Sequence, residues 1–235
     1  MINEKELYEI QEAKLKNYIS FPILRKLFKK YDLHREDLAL NLLEKGENFL
    51  DIGCGTGSLL FKAKSKYNHI YGIDIVDSKI NKAKKEAEAR KINNSYFFVS
   101  NINEKIDFQD NMFDAVTCIA VIEHIFDPYS IVNEIYRIIK NGGIFIADVP
   151  NIAYIKQRFC LLLGRLPVTG SPYNWKETGW DSGHLHYFTE KTFCNLLEDC
   201  GFKILEVTGC GLFGKIRGLY PSLLTGDICV KAMKK

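Results

Sequence analysis

The sequence predicts an α/β fold built on a doubly wound, largely parallel sheet, and three observations carry that expectation. Strand-like apolar runs alternate with helical stretches from residue 46 onward. The first run, "NFLDI", ends in a glycine-rich turn that leads straight into a helix. No internal repeat or low-complexity segment interrupts the rhythm. With 235 residues, 46% hydrophobic and 26% charged, the chain can bury a full core, and it suits one embellished α/β domain better than two domains.

Taken in order, residues 1–45 are expected to form a helical cover. "YISFPILRKLFKKYDL" and "REDLALNLLEKG" place apolar residues three and four apart, and Gly46 is expected to close the second helix. The main domain, 46–235, opens with a strand to Asp51 and a helix from Ser58. A strand at 69–74, a lysine-rich helix from Ser78 to Arg90 and strands at 95–99, 113–120 and 142–149 follow. The lysines of "KINKAKKEAEARK" read as the solvated face of their helix. Asp127 as N-cap and Pro128 at the first helical position open the helix between the last two of these strands.

After Pro150 the rhythm breaks. Residues 151–163 suit a helix, and 164–187 form a long aromatic stretch, "GRLPVTGSPYNWKETGWDSGHLHY", of the kind that serves as a lid or binding element. The pattern then resumes. Phe188 and Phe193 can staple a helix capped by Thr189, Gly201 can end it, and "FKILEVT" and "DICVKAMK" read as closing strands. Residues 151–187 and 209–224 thus stand outside the regular pattern as insertions.

Thirty-two basic and 29 acidic residues, net charge +3, are spread along the chain and offer no footprint for a phosphate backbone, so no nucleic-acid partner is expected. Seven cysteines without a C-x-x-C pair suit reduced thiols in a cytoplasmic protein. "MINEKELYEIQEAKLKNY" is too charged for a signal peptide, and no apolar stretch approaches the roughly 18 residues of a membrane span.

The glycine turn bears the chemistry. Gly53, Gly55 and Gly57 let the backbone turn sharply and let a ligand come close, while the helix from Ser58 aims unpaired N–H groups into the turn. A dinucleotide fingerprint needs its third glycine at position 58, which is Ser58. Asp51, two residues before the first glycine, suits an ammonium group and is a poor neighbour for a pyrophosphate. The pattern D-x-G-x-G-x-G therefore points to a cationic amino-acid nucleoside.

At this point the sequence resembles the class I S-adenosylmethionine-dependent methyltransferases. "FLDIGCGTG" is similar to their first motif, "YGIDI" to the second, "VSNI" to the adenine-binding turn and "FDAVTCIAVIEHIFDP" to the segment through the fourth strand. The resemblance spans about residues 46–208 and implies a Rossmann-like, seven-stranded doubly wound sheet with the last strand antiparallel, N-terminal helices and an inserted lid. It implies S-adenosyl-L-methionine as cofactor. Asp51 and the backbone at Gly53, Cys54 and Gly55 would hold the methionyl end, Asp74 the ribose hydroxyls, Ile75 the adenine face, Asn101 and the Ile102 N–H the adenine edge, and Ala120 would lie under the sulfonium.

The acceptor is less legible. "CIAVIEH" replaces the N/D-P-P-Y/F signature of nucleobase amine methylation, which disfavours that substrate class. Glu123 and His124 stand near the expected donor, and His124 could take a proton or, with Glu123, shape the pocket. His184 and His186 alternate in "SGHLHYFT" as if on one strand face; lacking a third fixed ligand, they are not expected to bind a metal, one of them is expected to line the acceptor pocket with Tyr187, and both stand with His124 as candidate catalytic residues. Tyr173, Trp175, Trp180 and Tyr187 would close over it as substrate contacts. "PNIAYIKQRFCLLLGRLPVTGSPYNW" and "FTEKTFCNLLEDCGFKILEV" are also similar to MetW-type proteins, which implies an alternative, a cofactor-fold module that works through a protein partner; the N-terminal helices and "SGHLHYFT" resemble instead the small-molecule methyltransferases acting on quinones, sugars and other metabolites.

Overall fold

The computed structural model describes residues 32–170 and 180–235. The helices expected before residue 32, and Tyr173 and Trp175, lie outside the described residues. The strands are β1 (Asp32–Leu33), β2 (Gly46–Ile52), β3 (Tyr67–Asp74), β4 (Ser95–Val99), β5 (Phe113–Ile119), β6 (Ile139–Pro150), β7 (Phe202–Thr208), β8 (Gly211–Leu212) and β9 (Asp227–Lys234). The helices, numbered within the described residues, are α1 (Arg35–Leu42), α2 (Ser58–Ala63), α3 (Asp77–Ala89), α4 (Pro128–Ile138), α5 (Ile155–Leu162), α6 (Glu190–Asp199), α7 (Gly214–Arg217) and α8 (Pro221–Leu224).

Seven strands form one sheet in the order β4-β3-β2-β5-β6-β9-β7. β2 through β6 pair in parallel, and β9 runs antiparallel to both β6 and β7. Both faces of this sheet are covered, which is why its central strands are apolar at successive positions and not only at alternate ones. On β2, Leu50 and Ile52 enter the core layer shared with Ile131, Ile135 and Phe193 of α4 and α6, while Phe49 enters the opposite layer with Leu60 and Ile80 of α2 and α3.

The local signals act as expected. Asp127 Oδ1 accepts the N–H groups of Tyr129 and Ser130 at the start of α4. Thr189 and Thr192 form a reciprocal capping box on α6, and the Phe188 and Phe193 rings meet at 5.3 Å across its first turn.

Three features depart from the sequence reading. Gly46 opens β2 instead of closing a helix: Asp114 at the start of β5 accepts the N–H groups of Glu47 and Asn48, drawing the chain into the sheet, and a Cβ on Gly46 would lie 2.8 Å from that of Asp114. β1 and β8 form a small antiparallel sheet that ties the N-terminal region to the second insertion. Residues 184–187 are not a strand, because the Glu123 carbonyl accepts the adjacent N–H groups of both Leu185 and His186 and turns the chain around itself.

Candidate active site

Parallel strands bring their C-terminal ends to one edge, and the turn after β2 lies there. Gly53, Gly55 and Gly57 all have positive φ. A Cβ on Gly53 would lie 2.4 Å from Val121 Cγ2, whereas one on Gly55 would meet no atom within 4 Å. The turn is therefore closed on its protein side at Gly53 and open at Gly55. Cys54 is buried, and its N–H and that of Gly53 both donate to the Ile73 carbonyl.

Asp51 is buried under this turn and accepts a 2.6 Å hydrogen bond from Thr117 Oγ1 on β5. Burial raises its pKa to about 7, against the opposing Thr117 bond, with Glu36 and Asp74 adding to the rise. Such a carboxyl gains from a cation beside it. Asp74, at the end of β3, accepts the Gly55 N–H on one oxygen and the Val76 N–H on the other, each at 2.9 Å. Each oxygen keeps capacity for a further donor. Ile75 and Ile102 are half-buried. Asn101 Oδ1 accepts the Asn103 N–H at 3.1 Å, an Asx turn that fixes the loop after β4.

After β5 the backbone is strained. Ala120 has φ +54°, a region that non-glycine residues rarely adopt, and its N–H donates to the Asp148 carbonyl at 2.9 Å. A 3₁₀ turn at Ile122–His124 follows. The Glu123 side chain is 1% exposed, and neither of its oxygens has a hydrogen-bond partner; burial pushes its pKa to about 8. His124 Nδ1 lies 3.1 Å from the Gly183 carbonyl, which fixes the proton on Nδ1, and His124 Nε2 lies 4.0 Å from Glu123 Oε1. Burial, reinforced by the neighbouring His184, lowers the His124 pKa to about 4.

His184 packs edge-on against His124 with ring centroids 4.8 Å apart, and its Nδ1 lies 2.7 Å from Thr169 Oγ1. Asp181 in turn accepts Thr169 Oγ1 and the Thr169 and Gly170 N–H groups, which holds Thr169 beside the His184 ring. One ligand-type atom each from Glu123, His124 and His184 falls within 4.8 Å of the others. His186 is directed elsewhere: it packs beside Phe188, and its Nε2 is buried without a partner. Trp180 begins a 3₁₀ turn, Trp180–Gly183, and Tyr187 is 42% exposed.

Four contributors escaped the sequence reading: Thr117, Asp148, Asp181 and Arg35. Asp148 is buried inside β6 with its pKa pushed up by burial and by Asp227; Arg35 reaches it at 3.7 Å and Asp227 at 3.4 Å. An acid within the apolar run "GGIFIADV" is a legible signal for Asp148. Asp181 and Arg35 carry no such mark, because only the tertiary fold brings them in.

The methyltransferase domain family matches residues 43–178, more than half of the chain. The ubiquinone biosynthesis O-methyltransferase of Coxiella burnetii is 36% identical over 100 residues, 42% of each chain, so the chain covers about two fifths of the length of such curated relatives. The demethylmenaquinone methyltransferase of Listeria welshimeri is 26% identical over 182 residues, 73% of this chain and 77% of that one. Among solved structures, the S-adenosylmethionine-dependent methyltransferase of Mesorhizobium loti superposes with a TM-score of 0.65 at 16% identity, covering 85% of this chain and 97% of that one. A chain from the complex between the Haloferax volcanii Trm112 methyltransferase activator and a methyltransferase gives 0.65 at 16% identity, covering 96% and 97%. The glycine turn, Asp74, Glu123 and His124 all fall inside the matched residues, and the chain belongs to the methyltransferase domain family.

Proposed function

We propose that the protein transfers the methyl group of S-adenosylmethionine to an oxygen or nitrogen atom of a small molecule, and that Glu123 takes the acceptor's proton. The observation that carries this reading is the buried, unpartnered Glu123 carboxyl, with its pKa near 8, at the strand edge beside Ala120. The names of the two curated relatives support a small-molecule acceptor.

The residues present fit the cofactor. Asp51 is a buried carboxyl suited to the methionyl ammonium, the open side of Gly55 leaves room for close approach, and Asp74 has acceptor capacity for a ribose diol. Ile75, Asn101 and Ile102 would border the adenine. When bound, the cofactor supplies an electrophilic methyl carbon on a positively charged sulfur.

The chain's own work is to hold the acceptor in line, exclude water and receive a proton. With the cofactor bound, its methyl carbon would be open to the acceptor's lone pair and its sulfur would leave as a neutral thioether, while Glu123 is the group that would receive the proton from the acceptor's oxygen or nitrogen. A carboxylate with a pKa near 8 is a stronger base than an ordinary one. His124, a weak base near pKa 4, serves as a neutral wall and hydrogen-bonding group, with His184 holding it in place. The lid residues Tyr187 and Trp180, with Tyr173 and Trp175, are assigned to the acceptor pocket; His186, which packs beside Phe188, is left out of it. Residues 46–235 form the methyltransferase unit in this reading and 1–45 its cover, and unpaired thiols are compatible with a cytoplasmic setting. A pure interaction module gives the buried Glu123 no task, which is why transfer is favoured.

The test is label transfer from S-adenosylmethionine into a metabolite extract. Wild-type protein should label a small molecule at a rate that rises with pH to a plateau above about 8. Glu123→Gln should slow it about 100-fold or more and lose that limb, while binding S-adenosylhomocysteine as tightly as wild type. Absence of any labelled small molecule with wild-type protein refutes the proposal.

A further inference from the structure

The two insertions leave the sheet at one point, because β6 ends at Pro150 opposite Asp227, the first residue of β9. They are clasped together there. The Asn151 side-chain amide donates to the carbonyls of Pro221, Ser222 and Thr225, and the Arg217 guanidinium lies 5.2 Å from the centre of the Tyr154 ring.

The stretches that flank this clasp differ in composition from the rest of the chain, the acids of the first insertion, Glu177 and Asp181, lying beyond them. Residues 151–170 and 209–226 contain none of the protein's 29 acidic residues and five of its 32 basic ones: Lys156, Arg158, Arg165, Lys215 and Arg217. The remainder of the chain is therefore slightly acidic, and the net positive charge resides here. The same stretches present large apolar side chains to solvent: Phe159, Leu161, Leu162 and Leu163 around the end of α5, and Ile216 and Leu219 around α7. Leu162 is 79% exposed and Leu219 83%. Clustered apolar exposure of this extent marks a contact surface.

We infer that the surface formed by α5, α7 and the segments around them docks the protein onto an anionic lipid bilayer. The apolar side chains enter the headgroup boundary, and the flanking lysines and arginines meet lipid phosphates. The choice of occupant rests on charge: the phosphates of an anionic bilayer complement these cations, whereas residues 151–170 and 209–226 bring no carboxylate to meet them in a two-fold copy. No helix among the described residues is long and apolar enough to cross a membrane, so the mode is interfacial. The inference is independent of the methyl-transfer reading, although the surface adjoins the edge that carries Asp148.

Flotation of the full chain with vesicles decides it. Vesicles of equimolar phosphatidylcholine and phosphatidylglycerol should retain the protein at least about tenfold better than phosphatidylcholine alone, and added salt should release it. The double variant Leu162→Glu, Leu219→Glu should lose at least about tenfold in retention. A second double variant, Lys156→Glu, Arg165→Glu, changes only exposed charges and should lose as much, with S-adenosylhomocysteine affinity unaltered. Equal retention by both vesicle types, absence of retention, or retention undiminished in the charge variant overturns the inference. So does a self-association in solution that Leu162→Glu dissolves.

Discussion

Asp51, Asp74 and Glu123 are three buried acids whose surroundings separate their tasks. Asp51 has one hydroxyl donor, Asp74 two backbone donors and Glu123 none. Asp74 therefore has a structural duty besides any ligand, since its carboxylate joins the glycine turn to the end of β3. Asp74→Ala should weaken S-adenosylhomocysteine binding by about 2–4 kcal/mol, read by calorimetry, through loss of two ribose acceptors. It should also lower the stability of the protein without cofactor by about 1–3 kcal/mol in urea unfolding, because two buried N–H groups lose their acceptor. Unchanged binding would remove Asp74 from the cofactor site. The glycines, Asp51 and Asp74 were legible because each lies within a few residues of a strand end and its chemistry is local. The burial of Glu123 was not, since nothing in "VIEHI" distinguishes a carboxylate aimed inward from one capping a turn.

At the scale of elements, the helix ends show why local signals carry so far. The run "FTEKTF" holds the staple, the cap and its reciprocal partner of α6 within six residues, and all three form in the fold. Thr189→Ala should cost about 1 kcal/mol in chemical denaturation, and Thr189→Ser should restore most of it. A loss below a few tenths of a kcal/mol would mean that tertiary packing alone fixes the helix start. Where sequence reading erred, the deciding partner was remote. Asp114 draws Gly46 into the sheet, Gly211–Leu212 turns Asp32–Leu33 into a strand, and the Glu123 carbonyl bends the chain at Leu185 and His186. Alternating histidines imitate a strand face, but a period of two is informative only while the backbone stays extended.

The whole molecule carries these buried acids as a pH-dependent liability. Asp51, Glu123 and Asp148 have folded-state pKa values raised by burial, so the folded chain holds more protons than the unfolded one above the ordinary carboxylate range, and stability falls as pH rises through that window. His124 and His184 act in the opposite sense. Burial lowers their pKa values, so the unfolded chain holds more protons until pH passes the ordinary histidine value of 6.5, and stability rises up to there. Asp114, where burial is outweighed only by Lys140 and the Glu47 and Asn48 N–H groups together, and Glu134, held down by Arg137, make their contributions only in the acid range. The two opposing sets partly offset each other below pH 6.5, and above it the carboxyls act alone until Glu123 ionises near pH 8. At about 1.4 kcal/mol per pH unit for each group still protonated, Asp51 and Glu123 together account for a loss on the order of 3 kcal/mol between these limits, and Asp148 adds to it. The melting temperature of the protein without cofactor should therefore fall between pH 6.5 and 8. The increment given by saturating S-adenosylmethionine should grow over the same interval, because its ammonium stabilises the ionised Asp51. Asp51→Asn should flatten that growth, and a melting temperature that rises toward pH 8 would show that the acids are solvated.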